Sequence, residues 1–144
     1  MHPRTKIKDQ IKDILSEAFP DVNVYVNLLG EVDPSFDEVI IVYVPDETTS
    51  RVNGKSTGMT GAPLKRLITV EIVASILLHA VTPEEEEIAS DRSNALARKI
   101  GLCINNNHVA LEPKGERQEH DIGDVIRIAN VMTYQHEIND LMDS

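Results

Sequence analysis

The chain has 144 residues, a hydrophobic share of 41%, an aromatic share of only 3% and a formal net charge of −10. Its length suits one domain whose core is filled by Ile, Val and Leu. The charge argues against a general nucleic-acid binder or a protein docked on an anionic membrane, since both need clustered Lys and Arg.

The first element is a helix over residues 5–18. Ile7, Ile11, Ile14, Leu15 and Ala18 recur at helical spacing and form one apolar stripe. Arg4, Lys6, Lys8 and Lys12 are a locally basic group, read as the wet side of that helix. Phe19-Pro20-Asp21 ends it, because the residue before proline disfavours the helical conformation.

Residues 22–29 alternate Val22, Val24, Val26 and Leu28 with polar or half-polar neighbours, the period of a strand with one buried face. After a turn-rich stretch, residues 39–44 are a continuous run of β-branched and aromatic side chains. Such a run predicts a strand covered on both faces. Residues 45–63 carry Gly54, Gly58 and Gly61 among Ser and Thr with no hydrophobic period, and read as a long loop, either disordered or functional. Arg51, Lys55 and Lys65 make that loop and its exit locally basic, a candidate contact for a partner.

The longest strand is expected over residues 64–79, apolar on both faces and spanning roughly 45–50 Å at about 3.3 Å per residue. A strand that long is expected to outrun its own domain core and pack on another subunit. Its candidate interface residues are Ile68, Val70, Ile72, Val73 and Leu77.

The second helix has the clearest local grammar. Thr82 is a good N-cap, Pro83 takes the first helical position and Glu85 completes a capping box. Glu84 to Glu87 complement the positive end of the helix dipole, which outweighs reading them as a cation site. Gly101 is the expected stop. Residues 108–111 read as a short strand, 112–124 as an exposed polar loop and 125–138 as the last strand. The fold class is therefore α+β, a mostly antiparallel sheet with two helices packed on it, in one domain over residues 1–144.

Motifs for catalysis are missing. There is no Gly-rich phosphate loop and no nucleophile elbow, and Gly54-Lys55-Ser56 lacks the glycine five residues earlier that a Walker motif needs. His2, His79, His108, His120 and His136 show no metal-ligand spacing, and Glu119-His120-Asp121 reads as a chance cluster in a polar loop. Cys103, the one cysteine, lies in the apolar stretch Ile100-Gly101-Leu102-Cys103-Ile104 and reads as a structural thiol in a reducing compartment. The expectation is a non-enzymatic protein with no catalytic residue, cofactor or metal. No apolar signal region opens the chain and no apolar run approaches membrane-spanning length, so assembly in the cytoplasm is expected.

Three features then converge: a Pro-Asp-Val-Asn-Val-Tyr-Val strand after the first helix, a long apolar strand running into an acidic helix, and the closing Ile126-Arg127-Ile128-Ala129-Asn130-Val131-Met132-Thr133-Tyr134-Gln135. Together they resemble the minor tail protein U family, the tail terminators of lambda-like phages, whose last strand similarly ends in an apolar-apolar-Thr-Tyr motif. The resemblance runs over residues 6–137, with residues 45–63 and 112–124 longer than the family pattern. It implies a virion tail protein, assembled in the host cytoplasm, that forms a hexameric ring on the tail tube. The ring would stop tube polymerisation and present a surface for the head–tail connector. Its implied partners are other copies of itself, the tail tube protein and the connector protein, with DNA only as cargo passing through the lumen. A neck or tail tube protein of the same fold is the nearest alternative. A small enzyme, or a small dimeric ligand-binding domain, represents a different class.

Overall fold

The structure is a computed structural model and describes residues 3–26, 37–51, 64–79 and 81–140. In chain order the elements are α1 (Pro3–Ala18), β1 (Asn23–Val26), β2 (Glu38–Arg51), β3 (Leu64–Leu78), α2 (Pro83–Asn106), β4 (Glu112–Ile122) and β5 (Ile126–Asp140). The strands form one sheet in the order β1-β2-β3-β5-β4, with β1 parallel to β2 and every other pair antiparallel. The class is α+β, as the order of apolar periods predicts.

The apolar stripe of α1 does what its spacing demands: Ile7, Ile11 and Leu15 are buried against the core. The helix turns out through Phe19, whose N–H donates to the Leu15 carbonyl at 2.9 Å. α1 packs on β1 and β2, and α2 packs on β3 and β5. Beneath them Ile40, Val42, Ile68, Val70, Ile72, Ile76 and Ile128 belong to one core cluster. Each such side chain, fully withdrawn from water, stabilises the fold by about 1.5–3 kcal/mol. The reverse face of the sheet is apolar at its centre as well, where Val39, Ile41, Leu77 and Val131 are all buried. Residues 39–42 of the continuous run are therefore buried on both sides, as expected for an interior strand, while Tyr43 is half-buried.

Four boundaries differ from the sequence expectation. β2 does not end at residue 44 but continues to Arg51, with residues 46–51 paired to residues 64–69 of β3. Pro45, which has no N–H to donate, falls where the register shifts between Tyr43 and Asp46, so the strand passes the proline by a local irregularity. Of the expected loop at 45–63, only residues 52–63 lie outside the described strands. Residues 112–122, expected as a loop, are strand β4, whereas 108–111 are not a strand. β4 has no apolar period because it is an exposed edge, held by its backbone ladder to β5. Its register shift lies between Pro113 and Gly115, again at a proline.

α2 also runs through Gly101 to Asn106. An interior glycine costs about 1 kcal/mol of helix propensity, and burial of Ile104 in the following turn offsets it. The helix ends at Asn107, and His108 takes φ 53, the left-handed conformation that usually closes a helix at glycine or asparagine. The N-terminus matches its grammar: the Glu85 N–H donates to Thr82 Oγ1 at 3.1 Å.

Candidate functional site

β3 is the centre of the sheet, paired along its length to β2 on one side and β5 on the other. Its alternate residues therefore have opposite fates. Ile68, Val70 and Ile72 point under the helices and belong to the chain's own core cluster, each 0% exposed. Leu77 is 1% exposed and lies on the reverse face. Of the five residues expected at a subunit interface, only Val73 keeps partial exposure, on the reverse face opposite Ile41 and Val131. Ile68, Val70, Ile72 and Leu77 are thus occupied by the fold of their own chain, which leaves Val73 and surface elsewhere for a subunit contact. Among the three expected partner-contact residues, Arg51 pairs by backbone with Leu64, and Lys65 with Ser50 and Asn139. Their side chains and the whole of Lys55 lie outside the described residues.

Two further features of the sheet and helices stand out. The first is strand edge. β4 closes the sheet as an edge strand of 11 residues, nearly all exposed. At the other side, among the described residues, β1 pairs with residues 39–42 of β2. Among the residues whose burial is described, the core cluster on β2 and β3 reaches Val44 and Ile68, with Ile138 of β5 packed against it, and the strands stay paired to Arg51, Leu64 and Asp140. An edge is a template for another strand, and β4 carries the usual guards against unselective pairing: a proline, a bulge and a row of charges.

The second is a polar seam where α2 crosses β5 and β4. Ser93 and Asn130 are 0% and 2% exposed, the places where polar side chains interrupt an apolar helix face and an apolar strand face. Ser93 Oγ lies 2.7 Å from Asn130 Oδ1 and 3.0 Å from the Ala74 carbonyl. Asn130 Nδ2 donates to Asn94 Oδ1 at 2.8 Å and to Glu116 Oε2 at 2.7 Å. On β4, Gln118 Nε2 donates to Asn130 Oδ1 at 3.0 Å, and Gln118 Oε1 accepts from Ser90 Oγ at 2.9 Å. His120 finishes the chain of contacts, Nε2 at 2.7 Å from Gln118 Oε1 and Nδ1 at 3.0 Å from Glu86 Oε2. Every polar group the seam buries has a partner, so it ties the edge strand to the helix rather than offering a vacant ligand site.

That geometry also resolves the Glu119-His120-Asp121 cluster. Alternation along β4 sends His120 toward α2, while Glu119 on the reverse face accepts from Arg117 Nε at 2.9 Å. The side chains diverge, and among the described residues no group of three or more His, Cys, Asp and Glu side chains is placed to hold a metal ion. Among the same residues no helix is long and apolar enough to cross a membrane. Cys103 is half-buried at the edge of the core, and burial pushes its thiol above the ordinary value against the opposing effect of a hydrogen bond from Asn107. Tyr134 is raised too, first by burial and then by the negative charge of Glu116.

Two clefts flank the helices. One of about 390 Å³ lies between the end of α1 and α2, with Phe19, Val22 and Leu96 beside Asp21, Glu38, Arg92 and Lys99. Across it Arg92 pairs with Glu38 at 3.4 Å. The other, about 440 Å³, lies at the C-terminal end of α2 between Ile104, Val109, Leu111 and Tyr134.

No family model matches the sequence, and comparison with curated proteins finds no match.

Proposed function

We propose that the chain is a structural protein of phage tail assembly, a terminator that closes as a ring on the tail tube, halts its growth and presents a surface to the head–tail connector. The observation that carries this reading is the extent of the sheet. β2, β3 and β5 stay paired as far as Arg51, Leu64 and Asp140, and β4 leaves a long edge at the far side. A ring needs a heterologous contact that closes by rotation, and strand edges on opposite sides of one sheet supply two unlike surfaces. The resemblance of residues 6–137 to the minor tail protein U family supports the same role. The net charge of −10 suits a lumen through which DNA slides without sticking. A neck or tube protein would use the same edges, and the tube protein differs in polymerising without limit.

The deciding experiment adds the purified protein to growing tail tubes and measures tube length and end structure by electron microscopy. The expected result is shortened tubes capped by a single ring, and light scattering should find a closed ring rather than an open series of sizes. Tubes of unchanged length with bare ends would overturn the terminator reading, and unlimited self-polymerisation would replace it with a tube subunit.

A further inference from the structure

The exposed side of α2 carries a pattern that neither the core nor the strand edges use. Ile88 and Leu102 are 46% and 53% exposed, and Ala95 midway between them is exposed as well. They fall seven residues apart. Val81, 47% exposed, lies just ahead of the Thr82 cap and outside the helix. Seven residues are nearly two turns of 3.6, so Ile88, Ala95 and Leu102 make one apolar row along the helix.

Two charged rows at the same spacing flank it. Glu84, Asp91 and Arg98 run along one side, and Glu85, Arg92 and Lys99 along the other. Both rows are acidic at the start of the helix and basic at its end, and these positions are exposed or half-exposed. Arg92 is held in place by its ion pair with Glu38.

The direction of those rows selects a partner. A second α2 laid parallel to the first would put acid on acid and base on base. Laid antiparallel, each row meets itself in reverse. Glu84 then faces the partner's Arg98, Glu85 faces the partner's Lys99, and Ile88 packs on the partner's Ala95 with Val81 near the partner's Leu102. At the centre each row meets its own copy, Asp91 facing the partner's Asp91 and Arg92 the partner's Arg92, a local repulsion that the four opposite-charge pairs at the two ends outnumber and that the ion pair of Arg92 with Glu38 lessens. A self-complementary patch of this kind is what an isologous contact requires, and its charge order sets register and direction as flanking charges do in helix pairs.

We infer that the exposed face of α2 is a homodimer surface, occupied by an antiparallel α2 of a second copy. One helix pair buries less than the roughly 1,200 Å² of a standard interface, so the dimer is weak and transient. It forms on the helix side of the sheet, leaves β4 and the extended ends of β2 and β3 clear, and does not rest on the ring reading.

Sedimentation velocity over a concentration series, up to on the order of 1 mM to reach weak association, tests it with two charge-reversed proteins. One carries Glu84→Arg and Glu85→Lys, the other Arg98→Glu and Lys99→Glu. The wild type should dimerise, each variant alone should dimerise at least tenfold more weakly, and an equimolar mixture of the two should recover wild-type affinity, because each then presents what the other faces. Thermal melts establish that both variants are folded. Should either fail to fold, Leu102→Glu on an already exposed position takes its place and should abolish the dimer. A wild type that stays monomeric throughout, reversed variants or Leu102→Glu dimerising like the wild type, or a mixture that fails to recover would each overturn the inference. A ring that still caps tubes while the reversed variants dimerise like the wild type overturns the α2 dimer and leaves the terminator reading intact. A dimer that responds to them but never caps tubes does the reverse.

Discussion

β3 and β4 are the two neighbours of β5, one on each side and both antiparallel to it, yet they are held by different forces. β3 is apolar on both faces, and its helix-side residues from Ile68 to Ile76 are fully buried. β4 is polar along its length and exposed at nearly every residue, and its helix-side residues Gln118 and His120 meet α2 through hydrogen bonds while Glu116 accepts one from Asn130 of β5. In β3, backbone pairing is reinforced by desolvation of large side chains. In β4 the ladder to β5 stands almost alone, and the polar seam replaces the hydrophobic contact. A central strand and an edge strand in one sheet can thus be equally regular in backbone and very different in what keeps them there.

That contrast can be broken at three depths. The largest effect should come from β3. Ile72→Ala removes a 0% exposed side chain beneath the helices and should destabilise the protein by about 2–5 kcal/mol, given a core that cannot fully collapse around the gap. Urea unfolding checks it, with the midpoint falling and the slope unchanged. Next is the tie between the two strands. Asn130→Ala leaves Ser93, Gln118 and Glu116 short of a partner at a site 2% exposed, which should cost about 1–3 kcal/mol in the same assay. An effect below about 0.5 kcal/mol would mean that water readily replaces the amide. The smallest effect belongs to β4 itself. Gln118→Ala cuts its contacts to Ser90 and Asn130 and should lower local stability by about 0.5–1.5 kcal/mol. Hydrogen exchange should show the amides of β4 opening faster while those of β3 keep their protection. Equal acceleration in both strands would show that β4 is not an independent opening unit.

The same contrast explains which parts of the fold could be read in advance. α1, the Thr82 cap, the interior run of β2 and the whole of β3 announce themselves, because burial imposes an apolar period and a helix start imposes a capping residue. β4 does not, since an edge strand facing water on both sides carries no such period, and its proline and glycine argue for a loop. Residues 46–51 of β2 were hidden for the same reason, their pairing to β3 being a backbone matter. The seam left a faint trace: Ser93 sits among Ala89, Leu96 and Ala97 on an apolar helix face, and Asn130 breaks the series Ile126, Ile128, Met132, Tyr134. A polar residue in a core position on each of two elements suggests that they meet, but not which other groups complete the network.

The amino-acid order by itself determined the class of the fold, the extent of β3, the N-terminus of α2 and the rows of charge along its outer face. All of these depend on local spacing or on which side chains avoid water. Tertiary structure decided the rest. Whether Ile72 faces a helix or the reverse side, whether β3 has a free edge, and whether Gln118 and His120 reach solvent or α2 depend on which strands pair and on which side the helices lie. Those choices are made by long-range backbone hydrogen bonds, and nearly every residue but proline carries the same donor and acceptor for them.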